Sequence, residues 1–579
     1  MLLKYTAIQK KIMSALVLLI VMVAACYILT INLLPVPDPA DLVPSDTVAF
    51  VKVRNLADMS IALKKSPVGK QLMDPELGSV LDQLGAEKRL REKVLETAKV
   101  FKRLVEHPLL HVIFGRQAAL ALLPPEIQVE NPVDHFAQNL VLVAQIKLRM
   151  APGSLFSKLV PGHVATGTTP YHGTTITSVA LENGITLYYA LLEHSFICGL
   201  DPRPIQRCII LAGDRLLRPG LTLYQDVAYQ QVVKDAKHKE TSLLYVNLAS
   251  GVLEWAILTG NRDNRMRFGE QERFFLLQRS RGNKNTIRLV LKGYGQRPTG
   301  VVQHFQLASP IINPHVQQIP SGTAVYFWSN WLNFSKFWLI ASQAPTLETA
   351  TAMFYIAQQF YEHTGTDIST FASLLGEQFG FFIKEVPSAT FATVPMVCLQ
   401  FQVREPAALK RLLKKQLSGV ETNVTRIGNV EAVSVVMAGG LIQPTYIIKD
   451  GWFIVADHIN QIKEFLDNRK KTLLSDKNFI KVDSGFTKKN NALLYARIDK
   501  VNQGLLHLFF WGIKAMEETH KLTRDQQSLF MERCVLPVFQ SLARVRSQGV
   551  RVVRQTEDLV VELNLLYNLQ GKRITKINK

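Results

Sequence analysis

His194 and Ser195, with Asp201 close behind, are the residue types of nucleophilic catalysis: a serine, a base beside it and a carboxylate to orient the base. The run from Leu187 to Asp201, however, reads as strand, turn, strand. Neighbours on a strand point to opposite faces, so this histidine cannot readily serve the serine next to it. The site reads as a hairpin turn. His107 and His111 have the i, i+4 spacing of two metal ligands on one helix face. Pro108 lies between them, no glutamate follows His107, and no third ligand is apparent. Gly162 to Thr175 (GHVATGTTPYHGTT) is rich in glycine and threonine, but it has no lysine to close a phosphate-cradling loop. It reads as an exposed loop between a helix and a hairpin. Cys198, Cys208, Cys398 and Cys534 include no Cys-x-x-Cys redox pair. Cys198 fits either as a small apolar core residue or as a disulfide partner of Cys208. No catalytic, cofactor-binding or metal site emerges, so the expectation is a protein that is not an enzyme. A hydrolase would require a cleft of converging titratable groups that no motif announces.

The elements that position these residues follow from composition and pattern. A chain of 579 residues, 47% hydrophobic and 20% charged, has room for several domains with proper cores. Its net charge of +20 attracts polyanions without saying which kind. Five cysteines in this length exclude a scaffold built on disulfides. Met13 to Leu34 carries no charge and, as a helix, spans about 33 Å, close to the thickness of a bilayer's hydrocarbon core. Lys4, Lys10 and Lys11 precede it and no basic residue follows until Lys52. The positive-inside rule therefore puts residues 1–12 in the cytoplasm and the body outside it, away from nucleic acid. Val23-Ala24-Ala25-Cys26 also has the form of a lipoprotein cleavage site, which makes Cys26 a candidate for lipidation. The prolines at 35, 37, 39 and 44 point to an extended spacer over residues 35–43.

Beyond the spacer, one pattern occurs twice. Val43-Pro44-Ser45-Asp46-Thr47 matches Ile319-Pro320-Ser321-Gly322-Thr323, 276 residues further on. Gly115-Arg116-Gln117 matches Gly376-Glu377-Gln378, and Leu142 to Ile146 matches Val397 to Phe401. Leu187 to Asp201 matches Thr445 to Asp457, with an acidic turn in each. Tyr224 to Leu248 matches Leu474 to Ile498, setting Leu243-Leu244-Tyr245 against Leu493-Leu494-Tyr495. Phe274 to Tyr294 and Val550 to Tyr567 both read as hairpins. The expected fold class is α+β: a transmembrane helix, then two repeated domains of antiparallel sheet with packed helices. These domains cover residues 44–297 and 319–570, joined by a connector at 298–318 and followed by a basic tail at 571–579.

The anchor, the Pro-Ser-x-Thr strand start and the hairpin–helix–Leu-Leu-Tyr strand together resemble an uncharacterised bacterial family of membrane-anchored envelope proteins. That resemblance implies an inner-membrane protein with a periplasmic body, and it carries no active-site residues. The expected function is binding or scaffolding with an envelope protein partner; the alternative is a carrier or chaperone for a lipid or other apolar ligand. Of the basic clusters at Lys88–Arg103, Lys410–Lys415, Arg469–Lys471 and Lys572–Lys579, the first two have helical spacing and read as solvated helix faces, and the clusters together favour anionic lipid headgroups. Trp331, Phe334 and Trp338 form an aromatic stripe where the first repeat has Asn55, Asp58 and Ala62. They are the candidate interface residues, because aromatic anchors dominate binding surfaces.

Overall fold

Short runs of β-branched, leucine and aromatic residues, each ended by turn chemistry, build this molecule. The computed structural model describes residues 38–106, 117–124, 137–146, 166–180, 186–192, 195–214, 221–227, 229–230, 233, 240–247, 273–280, 286–294, 308–331, 334–335, 338, 347–384, 396–440, 443–467, 471–518, 523–555 and 558–567. The expected anchor at 13–34, Cys26, His107, His111, His194 and the basic tail lie outside the described residues. Among the described residues no helix is long and apolar enough to cross a membrane.

The fold is α+β and dominated by antiparallel sheet. The first half supplies β1 (Ala49–Arg54), β2 (Gln117–Leu122), β3 (Leu140–Gln145), β4 (Thr166–Tyr171), β5 (Thr174–Ala180), β6 (Thr186–Leu192), β7 (Ser195–Gly199), β8 (Glu240–Asn247), β9 (Arg273–Ser280) and β10 (Thr286–Tyr294). After a short β11 (Ile311–Ile312), the second half supplies β12 (Thr323–Ser329), β13 (Leu375–Lys384), β14 (Val397–Val403), β15 (Thr422–Ile427), β16 (Val430–Val435), β17 (Thr445–Lys449), β18 (Trp452–Ala456), β19 (Lys489–Asn490), β20 (Ala492–Ala496), β21 (Val545–Gln555) and β22 (Asp558–Tyr567). Among the described residues, strand β11 pairs only with β19. The other strands form one 20-stranded sheet.

Pairing partners give the order across the first half as β4-β5-β6-β7-β3-β2-β1-β8-β9-β10. The second half runs β15-β16-β17-β18-β14-β13-β12-β20-β21-β22, which is the same order. Registers agree as well. Phe50 stands between Ala121 and Tyr245, and Tyr326 between Phe382 and Tyr495. Tyr189 pairs with Cys198 as Tyr446 pairs with Val455. The ring centroids of Tyr189 and Phe196 are 5.8 Å apart, and those of Tyr446 and Phe453 are 5.7 Å apart.

Both halves start the same way. The Thr47 hydroxyl donates to the Pro44 carbonyl at 2.6 Å, and that of Thr323 to the Pro320 carbonyl at 2.7 Å. Pro44 bridges to Thr222 and Pro320 to Thr472, each just before a 3-10 turn.

The halves meet strand to strand, β10 against β22. Following the ladders outward from Tyr245 and Tyr495 makes these two strands counterparts, with Val290 equivalent to Glu562. Val290 and Glu562 also face each other across the joint, so a local pseudo-twofold axis passes through this pair. Glu562 is buried there between Arg288 and Arg551, whose Nε lies 2.9 Å from Oε2.

Three expectations change and one open alternative closes. Residues 39–43 are not spacer: Pro39–Leu42 form a 3-10 turn, and Ala40 and Val43 are fully buried in the first core. Pro39 starts that turn, where proline's fixed φ and missing N–H do no harm. The β3–β14 match is displaced by two residues, because Leu142 opposite Cys198 corresponds to Leu399 opposite Val455. An even slip keeps every side chain on its face, so the pattern could not detect it. Residues 166–175 are hairpin rather than loop, with His172 and Gly173 turning at φ 43° and 74°. Cys198 and Cys208 are unpaired, and burial pushes both thiols up to about 12.

Candidate binding face

The two faces of the sheet differ. Helices Pro202–Asp214, Ile459–Leu466 and Lys477–Val482 lie over the inner face, which holds both main cores. Phe50, Tyr245, Tyr326, Trp328 and Tyr495 are buried there. The charged residues Lys52, Arg288, Arg551 and Glu562 alternate with the opposite face and share this inner side.

The outer face carries the residues in between. Across β2, β1 and β8 these include Leu120, Leu122, Val51, Val53, Leu244 and Val246. Across the joint they are Ile287, Leu289, Val561, Leu563, Leu565, Val550 and Val552. They continue through Leu494, Val325, Phe327 and Phe381 into the second half. None of these side chains is charged; Arg554 stands at the rim. Val51 and Leu120, paired across strands, are 37% and 43% exposed, and the others named here are half-buried. Contiguous apolar side chains left partly open to solvent mark candidate interaction sites.

In the second half the face becomes aromatic. Ring centroids are 5.5 Å apart for Phe327–Phe381, 5.0 Å for Phe379–Phe401 and 6.2 Å for Phe401–Phe453. Helices Ile368–Leu374 and Pro406–Gln416 cap its far end, where Leu409, Leu413, Phe371 and Leu374 cluster with Phe401 and Phe453. The corresponding positions of Phe327, Phe381 and Phe401 in the first half are Val51, Leu120 and Ala144.

The aromatic stripe expected from sequence reaches the capped end of this face through Phe334. Phe334 packs edge-on against Phe371 at 6.0 Å, within its own half, and the Ser335 hydroxyl donates to the Ala372 carbonyl at 3.0 Å. Trp331 and Trp338 are half-buried, and the Trp331 N–H donates to the Ser329 hydroxyl. Residues of the outer face escaped notice because runs such as Thr323 to Ser329 (TAVYFWS) are apolar on both faces, which erases the alternation that flags an exposed side.

Among the described residues, clustered polar chemistry is sparse. A cleft of about 490 Å³ is lined by Ser309, Asn330, Glu377, Gln402 and Arg404 among others, and Arg404 pairs with Glu377 at 3.7 Å. His315 is held against Trp452 at 4.2 Å, with Nδ1 2.9 Å from Gln318, and burial pushes its pKa down. Among the described residues, no three of His, Cys, Asp and Glu are grouped to hold a metal ion. Comparison of the chain with protein-family models, with curated proteins and with solved structures gives no match in any of the three.

Proposed function

We propose that this chain is a non-enzymatic, membrane-tethered binding protein of a bacterial envelope, and that the outer face of its sheet holds the acyl chains of a lipid or a similar apolar ligand. The observation that carries this reading is the uncharged, partly exposed outer face shared by both halves. A surface whose side chains are mostly hydrocarbon and uncharged favours an apolar ligand, since most polar groups placed there would lose their water unreplaced. The uncharged segment 13–34 and the lysines before it support attachment to the membrane, with the body on the far side.

The test uses full-length protein and a fluorescent fatty acid. Saturable binding should be strongly reduced by Leu563→Glu and by Phe381→Glu in variants that still melt cooperatively. Unchanged binding in both variants would remove the outer face from consideration.

A scaffold for a protein partner is the second reading. It is favoured by the helix Leu347–Thr364, on which Phe354, Tyr355 and Tyr361 are 70%, 62% and 59% exposed. Exposed aromatics of this kind act as interface anchors. If the scaffold reading holds, alanine at Phe354 and Tyr355 should abolish capture of the partner while leaving fatty-acid binding intact.

A further inference from the structure

We propose that the Pro406–Gln416 helix and the adjoining edge strand β15 form a docking surface for the anionic headgroups of a bilayer. The inner side of this helix is fixed, with Leu409 fully buried and Leu413 packed among the rings of the outer face. Lys410, Arg411, Lys414 and Lys415 therefore fall together on the opposite side, at i, i+1, i+4 and i+5. All four are exposed or half-exposed, and among the described residues none meets a carboxylate. Of the six cations between positions 404 and 427, Arg404 pairs with Glu377 and Arg426 stands opposite Glu431, which leaves these four as one cluster.

Two features select a bilayer over other polyanions. Val420 and Val424, in the turn after the helix and on the edge strand, are 42% and 61% exposed. Cations flanked by exposed apolar side chains suit the boundary between headgroups and acyl chains. The segment 404–427 also has no aromatic residue, whereas single-stranded nucleic acid is held by base stacking on aromatics as well as by charge. The surface does not depend on the outer face carrying a ligand, so the two proposals can fail separately.

The experiment is amine-acylation footprinting, read by mass spectrometry, of the full chain reconstituted in liposomes. Lys410, Lys414 and Lys415 should label severalfold more slowly in liposomes containing phosphatidylglycerol than in pure phosphatidylcholine. Exposed Lys481 and Lys488 serve as unaffected references. The protection should vanish in 1 M salt, where the screening length falls to about 3 Å. Lys414→Glu with Lys415→Glu should abolish the protection of Lys410 without lowering the melting temperature. Equal labelling in both liposomes would overturn the proposal. So would protection by a soluble oligonucleotide at matched phosphate with none from the anionic liposomes, a result that would assign the surface to nucleic acid.

Discussion

Two buried hydroxyls fix where each half of the sheet begins. Thr47 and Thr323 are essentially inaccessible, and each ties its strand back to the carbonyl of a proline three residues earlier. Replacing either with valine keeps the shape and removes one hydrogen bond, for a loss of about 1 kcal/mol. The sites are far apart in the sheet, so the double variant should lose about 2 kcal/mol in denaturant titrations. A double loss well short of the sum would mean that the two strand starts are coupled. His315 gives a pH dependence of definite sign. Its folded pKa lies below the ordinary value of 6.5 because burial disfavours the imidazolium. The unfolded chain therefore binds the proton more readily, and stability is full above about pH 6.5 and declines as pH falls towards the folded value. Melting temperatures measured from pH 7.5 down to 5 should fall less steeply for His315→Phe, which keeps a ring against Trp452 and cannot titrate.

At the level of elements, turn chemistry and strand pattern explain most of what could be read in the sequence. Asp450 and Gly451 turn the β17–β18 hairpin at φ 50° and 76°, as an acidic residue followed by glycine announces. The paired Leu-Leu-Tyr runs became β8 and β20 in matching positions. Two things were not legible. The order in which strands assemble depends on contacts far apart in the chain, which periodicity does not encode. The buried turn at Pro39–Leu42 was hidden because its prolines fit an extended spacer equally well. Helix-to-sheet fit is also invisible in a pattern of apolar residues. A methyl group on Gly549 would come within 2.7 Å of the Phe486 ring and 2.9 Å of the Val482 carbonyl, whereas its counterpart in the first half is Phe275. Gly549→Ala should therefore destabilise by about 1–3 kcal/mol, by forcing the Lys477–Val482 helix away from β21. Alanine at Gly173, where nothing lies within 4 Å of the added methyl, should show only the strain of its backbone turn.

For the molecule as a whole, the joint between halves combines a nearly symmetric backbone with asymmetric charge. Val290 sits on one side of the axis and Glu562 on the other, clamped by Arg288 and Arg551. Removing the carboxylate leaves two guanidinium groups without their anion in a largely buried site, and breaking a buried pair in this way costs about 3–5 kcal/mol. Glu562→Gln should therefore separate the unfolding of the halves into two transitions in calorimetry. Glu562→Val with Arg551→Leu and Arg288→Val removes the buried charges altogether and should restore a single one. Persistence of one transition in Glu562→Gln would show that backbone pairing alone couples the halves. Because β10 and β22 are counterparts, the seam between them is also interchangeable between molecules. A chain opened there exposes two edges, β10 and β22, and each can pair with the other strand of a neighbour so that the native ladder re-forms across the new boundary. Two such chains close into a ring by exchanging halves, and longer series extend into filaments. The spacing between neighbouring copies, more than any change in sequence, then decides whether the seam closes within one chain or between several.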